Sequence, residues 1–147
     1  MIPKIIHYCW FGRGEMPLLA IKCLQSWKKY LPEYEIKLWN EDNFDLDMFP
    51  YVKEAYERRR FAFVTDVVRL YALYNYGGVY MDTDVEVLKP IDAILEYKGV
   101  SGFETDTQIP TGLMACIPGH PMIGKLLEEY NGIHFYKENG SIDLTTN

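Results

Sequence analysis

Apolar positions recur along this chain in two periods, one of strands and one of helices. Ile5, Ile6, Tyr8 and Cys9 make the stretch from Ile2 to Phe11 strand-like, and Gly12-Arg13-Gly14 stops it. Pro17 suits the first turn of a helix, and Leu18, Ile21, Leu24, Trp27 and Leu31 follow at helical spacing until Pro32. Tyr34, Ile36 and Leu38 alternate with Glu35, Lys37 and Trp39, the pattern of a half-buried strand. Asn40 to Asn43 reads as a solvated turn, and Tyr51 to Arg60 as a helix with Ala55 and Tyr56 inward.

The next helix carries Phe63, Val67, Leu70 or Tyr71, and Tyr74 on one face, and Gly77 closes it as a cap. A short apolar strand from Gly78 then runs into Asp82 and Asp84. Beyond the Lys89-Pro90 turn, the pattern predicts a short helix over 91–97, strands over 100–104 and 113–117, and a helix opened by Pro121. From Asn131 the sequence turns polar. Strands alternating with helices imply an α/β layer on a mainly parallel sheet. Sites in such sheets lie at the carboxyl ends of strands, which is where Trp10, Asp82 and Asp84 fall.

Composition narrows the class. The chain has 147 residues, 48% of them apolar, enough for one domain with a real core. Its net charge of −6 argues against a nucleic-acid surface. Cys9, Cys23 and Cys116 are odd in number and widely spaced, so neither a disulfide framework nor a zinc site is expected, and a reducing compartment is favoured. No basic leader precedes a long apolar stretch, and no apolar run is long enough to cross a bilayer. The expectation is a cytoplasmic protein, with peripheral contact at the inner face of the cell membrane. Arg58-Arg59-Arg60 alone supports that contact; the run could equally meet a diphosphate, and most such runs are solvated.

The acidic strand carries the chemistry. Two carboxylates at the end of a buried strand cost several kcal/mol each unless neutralised, and a divalent cation with oxygen ligands is the simplest partner. Three uses compete. The pair can anchor a metal on a sugar-nucleotide diphosphate, it can serve an aspartyl-phosphate phosphatase, or it can belong to a calcium loop. The pair comes late and is followed by Val85-Glu86, which counts against a phosphatase. No glycine turn follows, which counts against a calcium loop. Asp66 and Arg69 share a helical face, either as a structural ion pair or as a wall overlooking the metal pocket.

Taken in order, Ile2 to Gly12, Ser26-Trp27, Trp39-Asn40, Ala62 to Arg69 and Gly77 to Asp84 closely resemble the glycosyltransferases that carry the DXD sugar-binding motif, grouped as glycosyltransferase family 32. These include bacterial capsular polysaccharide transferases and yeast initiating mannosyltransferases. The resemblance implies a GT-A (Rossmann-like nucleotide-diphospho-sugar transferase) fold over 1–147 as a single domain, with a polar tail over 131–147. It also implies a nucleotide-sugar donor, a UDP-hexose first, with Mn²⁺ or Mg²⁺ and retention of configuration. By the same resemblance, Asp84 looks like the direct metal ligand. Asp82 looks like its partner, holding donor hydroxyls or reaching the metal through water. Asp66 and Arg69 look like the grip on the donor sugar and its diphosphate, and Trp10 like the stack for the nucleobase. Relatives continue past the point where this chain stops, so a C-terminal truncation is expected.

The reading from sequence is therefore a metal-dependent retaining hexosyltransferase, with Asp82, Asp84 and Arg69 as its catalytic residues. Its expected acceptor is a hydroxyl of a cell-surface polysaccharide or of a lipid-linked glycan. The alternatives are an incomplete, non-catalytic nucleotide-sugar binder and, behind it, an aspartyl-phosphate phosphatase.

Overall fold

The structure is a computed structural model that describes residues 1–100 and 112–135. Its centre is a five-stranded sheet with the order β2-β1-β3-β5-β4. The strands are β1 (Ile5–Cys9), β2 (Glu35–Trp39), β3 (Gly78–Met81), β4 (Gly99–Val100) and β5 (Leu113–Cys116). β1 pairs in parallel with β2 and with β3, whereas β5 lies antiparallel to both β3 and β4. Four strands thus share one direction and β5 alone opposes them. The sheet is mainly parallel by direction, but its ladders divide evenly.

The helices are α1 (Leu18–Tyr30), α2 (Pro50–Glu57), α3 (Phe61–Tyr76) and α4 (Pro121–Glu128), with a 3₁₀ turn at Asp92–Glu96. Alternation along the strands divides the core into two layers. Val79 and Met81 of β3 meet Ile6, Trp27, Leu113 and Ala115 on the α1 side. Tyr80 and Cys116 face the other way, toward Val64, Val67 and Leu73 of α3. That inversion between Tyr80 and its neighbours aims the Tyr80 ring at the helix that carries Asp66 and Arg69.

The α1 face turns Leu24, Trp27 and Leu31 inward as expected and differs from expectation in its first turns. Leu18 is 85% exposed and Ile21 41%, while Ala20, Cys23, Ser26 and Trp27 are buried. Small residues let the helix lie close to the sheet, and Trp27 supplies the largest buried side chain, with Leu24 and Tyr30 packed beside it. Ser26 accepts a hydrogen bond from the Val87 N–H (2.9 Å), and the Trp27 indole donates to the Val85 carbonyl (2.8 Å).

β3 begins at two glycines whose backbones sit at φ of 67° and 112°. At Gly78 a Cβ would stand 2.6 Å from the Ile5 carbonyl oxygen, so only glycine lets β3 lie this close to β1. Buried His7 bridges the same place, with Nε2 2.8 Å from the Gly77 carbonyl oxygen.

Of the strand expected over 100–104, only Val100 is described; the remainder and the loop over 108–111 lie outside the described residues. So does the polar tail, apart from 131–135. There Phe135 is fully buried against Tyr51 and Phe63, and its N–H donates to Glu54 (2.9 Å).

Candidate functional site

β1 leads through α1 to β2 on one side, and β3 takes the place on the other. The chain thus switches direction between β1 and β3, and ligands of open α/β sheets bind beyond the strand ends at such a switch. A cavity of about 620 Å³ lies there. Trp10, Asp66, Arg69, Asp82 and Asp84 all line it, so the five residues singled out from the sequence share one space.

Each arrives by a different route. Trp10 follows the last residue of β1, and its N–H donates to the Trp39 carbonyl (3.0 Å), which continues the sheet by one bond. Its indole N–H donates to the Gly14 carbonyl (2.8 Å) and fixes the ring across the loop. Gly12 holds φ at 99°, and a Cβ there would collide with the Phe61 ring. Asp66 and Arg69 sit one turn apart on α3, with the Arg69 guanidinium 3.0 Å from Asp66 Oδ1 and 3.8 Å from Asp82 Oδ1. The same guanidinium lies 4.9 Å over the Tyr80 ring. Arg69 therefore links the helix to the acidic turn and is steadied by the aromatic face beneath it.

Asp82 and Asp84 stand differently from the sequence reading. β3 ends at Met81, and Asp82 to Val85 form a turn closed by Val85 N–H to the Asp82 carbonyl (3.0 Å). The Asp82 side chain is 34% exposed and Asp84 is exposed. The pair sits at the mouth of the cavity rather than inside the core, so no large burial cost compels a cation. What supports one is the donor set. Two hard carboxylates open onto one cavity, and among the described residues no cluster of three or more His, Cys, Asp and Glu is placed to hold an ion. Two carboxylates completed by substrate phosphates and water is the usual arrangement for Mg²⁺.

Burial pushes the Asp66 carboxyl above its ordinary range; the Arg69 charge pulls it back and the Asp82 charge adds to the rise. Cys9 also lines the cavity, but burial pushes its thiol up to about 12, so it is no thiolate nucleophile near neutral pH. Burial likewise pushes the Tyr80 hydroxyl well up.

Two contributors, Glu41 and Gly112, were not found in the sequence reading, and a third, Arg59, was offered there only as part of a basic run that could meet a diphosphate. Glu41, read there as part of a solvated turn, is 91% buried by side chain; its Oε2 accepts from the Gly12 N–H (2.6 Å) and the Tyr56 hydroxyl (2.7 Å). It pins the loop that carries Trp10. Gly112 receives the Asp82 N–H on its carbonyl (3.1 Å), and a Cβ there would stand 2.7 Å from Asp82 Oδ2. Arg59 lines the cavity at φ 57°, so one member of the basic run faces the site.

Comparison with known proteins follows the same lines. Residues 17–100 match the model of the glycosyltransferase sugar-binding region containing the DXD motif. The chain is 31% identical over 126 residues to inositol phosphoceramide mannosyltransferase 3 of Schizosaccharomyces pombe, covering 83% of this chain and 35% of that protein. It is 30% identical to inositol phosphoceramide mannosyltransferase 2 of the same yeast, over 99% of this chain and 44% of that one. It spans less than half the length of either relative. Among solved structures, the PaToxG glycosyltransferase superposes with a TM-score of 0.68 at 20% identity, over 86% of this chain and 58% of that one, and shares the fold.

These relatives correct the cytoplasmic placement. They are named as mannosyltransferases of inositol phosphoceramide, a bilayer lipid, and not of a soluble acceptor. The three cysteines that suggested a reducing compartment are buried and unpaired, and burial protects a thiol in any compartment. Among the described residues no helix is long and apolar enough to cross a membrane.

Proposed function

The chain belongs to the family of glycosyltransferase sugar-binding regions containing the DXD motif, and from that premise we propose that it moves a hexose from a nucleotide diphosphate to a hydroxyl acceptor. The observation that carries this reading is the run Asp66–Arg69–Asp82 along one wall of the cavity, with Trp10 at one end and Asp84 at the mouth. In this reading 1–147 acts as one nucleotide-sugar-binding domain.

Trp10 stacks on the nucleobase, its ring held by the bond to Gly14. Asp66 accepts hydroxyls of the donor sugar. Arg69 faces the diphosphate and offsets the charge that grows there as the bond from the anomeric carbon to the phosphate oxygen breaks. Asp84, with Asp82 beside it, holds a Mn²⁺ or Mg²⁺ ion. That ion, when bound, supplies Lewis-acid stabilisation of the leaving diphosphate. Among the described cavity residues no side chain is a poised nucleophile toward the sugar. Retention then calls for the acceptor hydroxyl to attack from the face the diphosphate leaves, with the leaving phosphate taking the proton.

The acceptor we favour is a glycolipid hydroxyl, on the strength of the relatives' names, ahead of a cell-surface polysaccharide. UDP is the first nucleotide to test and GDP the second. The phosphatase alternative finds no support in the family the chain belongs to.

Calorimetric titration of UDP and of GDP, with Mn²⁺ and then with EDTA, tests the reading. One nucleotide should bind only with the metal and should lose that binding in Asp84→Asn. Binding that ignores EDTA and Asp84→Asn would overturn the metal assignment. Metal-dependent binding without donor hydrolysis or transfer would instead favour the non-catalytic binder.

A further inference from the structure

Trp10 hangs on a strained loop. Gly12 stands at φ 99° and Arg13 at 62°, a left-handed conformation that an L-residue adopts against its own sterics. Such a segment keeps its shape where its surroundings fix it. The Trp10 indole is bonded to the Gly14 carbonyl (2.8 Å), so a loop that relaxes takes the ring with it.

Two acidic residues just past β2 reach this loop, and they differ in hold. Arg13 Nη1 and Nη2 donate to Asp42 at 3.2 and 2.7 Å, but the two side chains are 57% and 68% exposed, and surface pairs of this kind hold little. The Glu41 side chain is 9% exposed, and its Oε2 receives both the Gly12 N–H and the Tyr56 hydroxyl. Burial would raise the Glu41 carboxyl, but the Gly12 and Tyr56 bonds outweigh it and hold it below its ordinary range, so Glu41 is ionised near neutral pH. Hydrogen bonds to an ionised acceptor are roughly twice as strong as neutral ones.

The surroundings of Glu41 are built to present it. Asn40 N–H bonds Asn43 Oδ1 (2.9 Å), Asp42 N–H bonds Asn40 Oδ1 (2.9 Å), and the Asn43 amide donates to the Leu38 carbonyl (2.7 Å), which locks the turn. Tyr56 carries the tie onward. Its ring meets Phe61 at 5.5 Å, and Phe61 lies so close to Gly12 that a Cβ there would stand 2.5 Å from it. Glu41 thus draws the loop in and Phe61 stops it. Glu41 Oε1 is buried with no hydrogen-bond donor among the described residues, and Arg13 Nε is 3.7 Å away. A half-satisfied buried carboxylate costs the fold stability. What it secures is the place of the loop.

We propose that Glu41 is the positioning residue of the nucleoside end of the cavity, setting the Trp10 ring for the base through the Gly12 N–H. It is not among the residues that line the cavity, so it acts through the loop and not on the ligand. The inference rests on the transferase reading above.

The test labels the chain with 5-fluorotryptophan. Trp10, Trp27 and Trp39 give three ¹⁹F lines, and Trp10→Phe identifies the first. Glu41→Gln keeps the shape and loses the charge. Without nucleotide it should move the Trp10 line and leave in place the line of fully buried Trp27, which reports the core. With Mg²⁺, UDP or GDP should bind it about tenfold or more weakly than wild type. Inorganic pyrophosphate, which has the diphosphate and no base, should bind both alike. Tyr56→Phe spares the Gly12 bond and should act in the same direction by less. Asp42→Asn should match wild type.

A Trp10 line unmoved in Glu41→Gln and in Tyr56→Phe overturns the proposal. So does a loss that pyrophosphate shares, or one that Asp42→Asn reproduces in full. Should Glu41→Gln disturb the Trp27 line as well, Tyr56→Phe decides by the same readings. A wild-type chain that binds neither UDP nor GDP sinks the transferase reading and this role with it. Nucleotide affinity unchanged in Glu41→Gln sinks this inference alone.

Discussion

The indole N–H of Trp27 donates to the backbone carbonyl of Val85 at 2.8 Å, across 58 positions and one residue past Asp84. Ser26 beside it takes the Val87 N–H, so α1 grips the chain just after the acidic turn from the side opposite the cavity. The Ser26-Trp27 pair thereby restrains Asp84 without touching it. Trp27→Phe keeps most of the aromatic bulk and leaves a buried carbonyl without its donor. Urea unfolding should show a loss of about 1–3 kcal/mol, and metal-dependent nucleotide titration should show weaker binding than wild type. Lost stability with unchanged nucleotide affinity would show that the grip does not reach Asp84.

His7 governs a pH dependence. Trp39 donates its indole N–H to His7 Nδ1 at 3.0 Å, so the ring proton sits on Nε2 and is given to the Gly77 carbonyl at 2.8 Å. Protonating Nδ1 would break the first bond. Burial lowers the His7 pKa most, the Gly77 bond opposes that, and Lys37 adds to the lowering. The folded protein therefore binds this proton less readily than the unfolded chain. His7's contribution is fully present above the unfolded value near 6.5 and is lost as pH falls from there toward the folded pKa. Thermal unfolding between pH 8 and 5 should show stability falling below about 6.5, with a slope approaching 1.4 kcal/mol per unit from this one group. His7→Gln should remove that part of the slope; a variant with the wild-type profile would place the acid sensitivity elsewhere.

The sequence made the axis of the site legible because its residues lie at element ends. Trp10 follows a strand closed by glycines, Gly77 and Gly78 mark the entry to β3, and Asp66 and Arg69 stand one helical turn apart. All five expected residues meet in one cavity. The α1 face was read correctly at Leu24, Trp27 and Leu31 and misread at Leu18 and Ile21, which face outward, because burial in the first turns runs through Ala20 and Cys23, which hydropathy hardly weighs. Glu41 was misread because its partners, Gly12 and Tyr56, are brought to it only by the fold. The direction of β5 was invisible for a like reason, since an apolar run of four residues carries no sign of which way it runs.

Arg69 sets the titration of Asp66. Burial raises that carboxyl, the guanidinium at 3.0 Å lowers it, and Asp82 raises it again. Arg69→Gln removes the lowering contribution, so Asp66 should titrate higher still in the metal-free chain. Carboxyl ¹³C shifts followed from pH 3 to 8 check this. An Asp66 midpoint that moves down or stays fixed would mean that the pair is not coupled in solution. The raised value also sets a sign. The folded chain holds this proton more tightly than the unfolded chain, so Asp66 opposes folding increasingly as pH rises from the unfolded value through the folded one.

Gly112 offers the most local test of the acidic turn. Its carbonyl takes the Asp82 N–H at 3.1 Å, its φ is 86°, and a Cβ there would stand 2.7 Å from Asp82 Oδ2. Two penalties meet in Gly112→Ala. The backbone leaves a conformation that costs an L-residue about 1–2 kcal/mol. The methyl group also pushes a carboxylate whose Oδ1 is 3.8 Å from Arg69. Asp82 is 34% exposed, so it can swing toward solvent rather than force the core apart. The fold should therefore survive with a modest loss in unfolding temperature, while metal-dependent nucleotide affinity falls by about tenfold or more. Gly112→Ser carries the same Cβ and should behave alike. If both variants bind nucleotide as wild type does while showing the stability loss, Asp82 tolerates displacement and its place in the site is not set by Gly112. If neither property changes, the turn has relaxed around the methyl group, and the close approach between Gly112 and Asp82 is not required in solution.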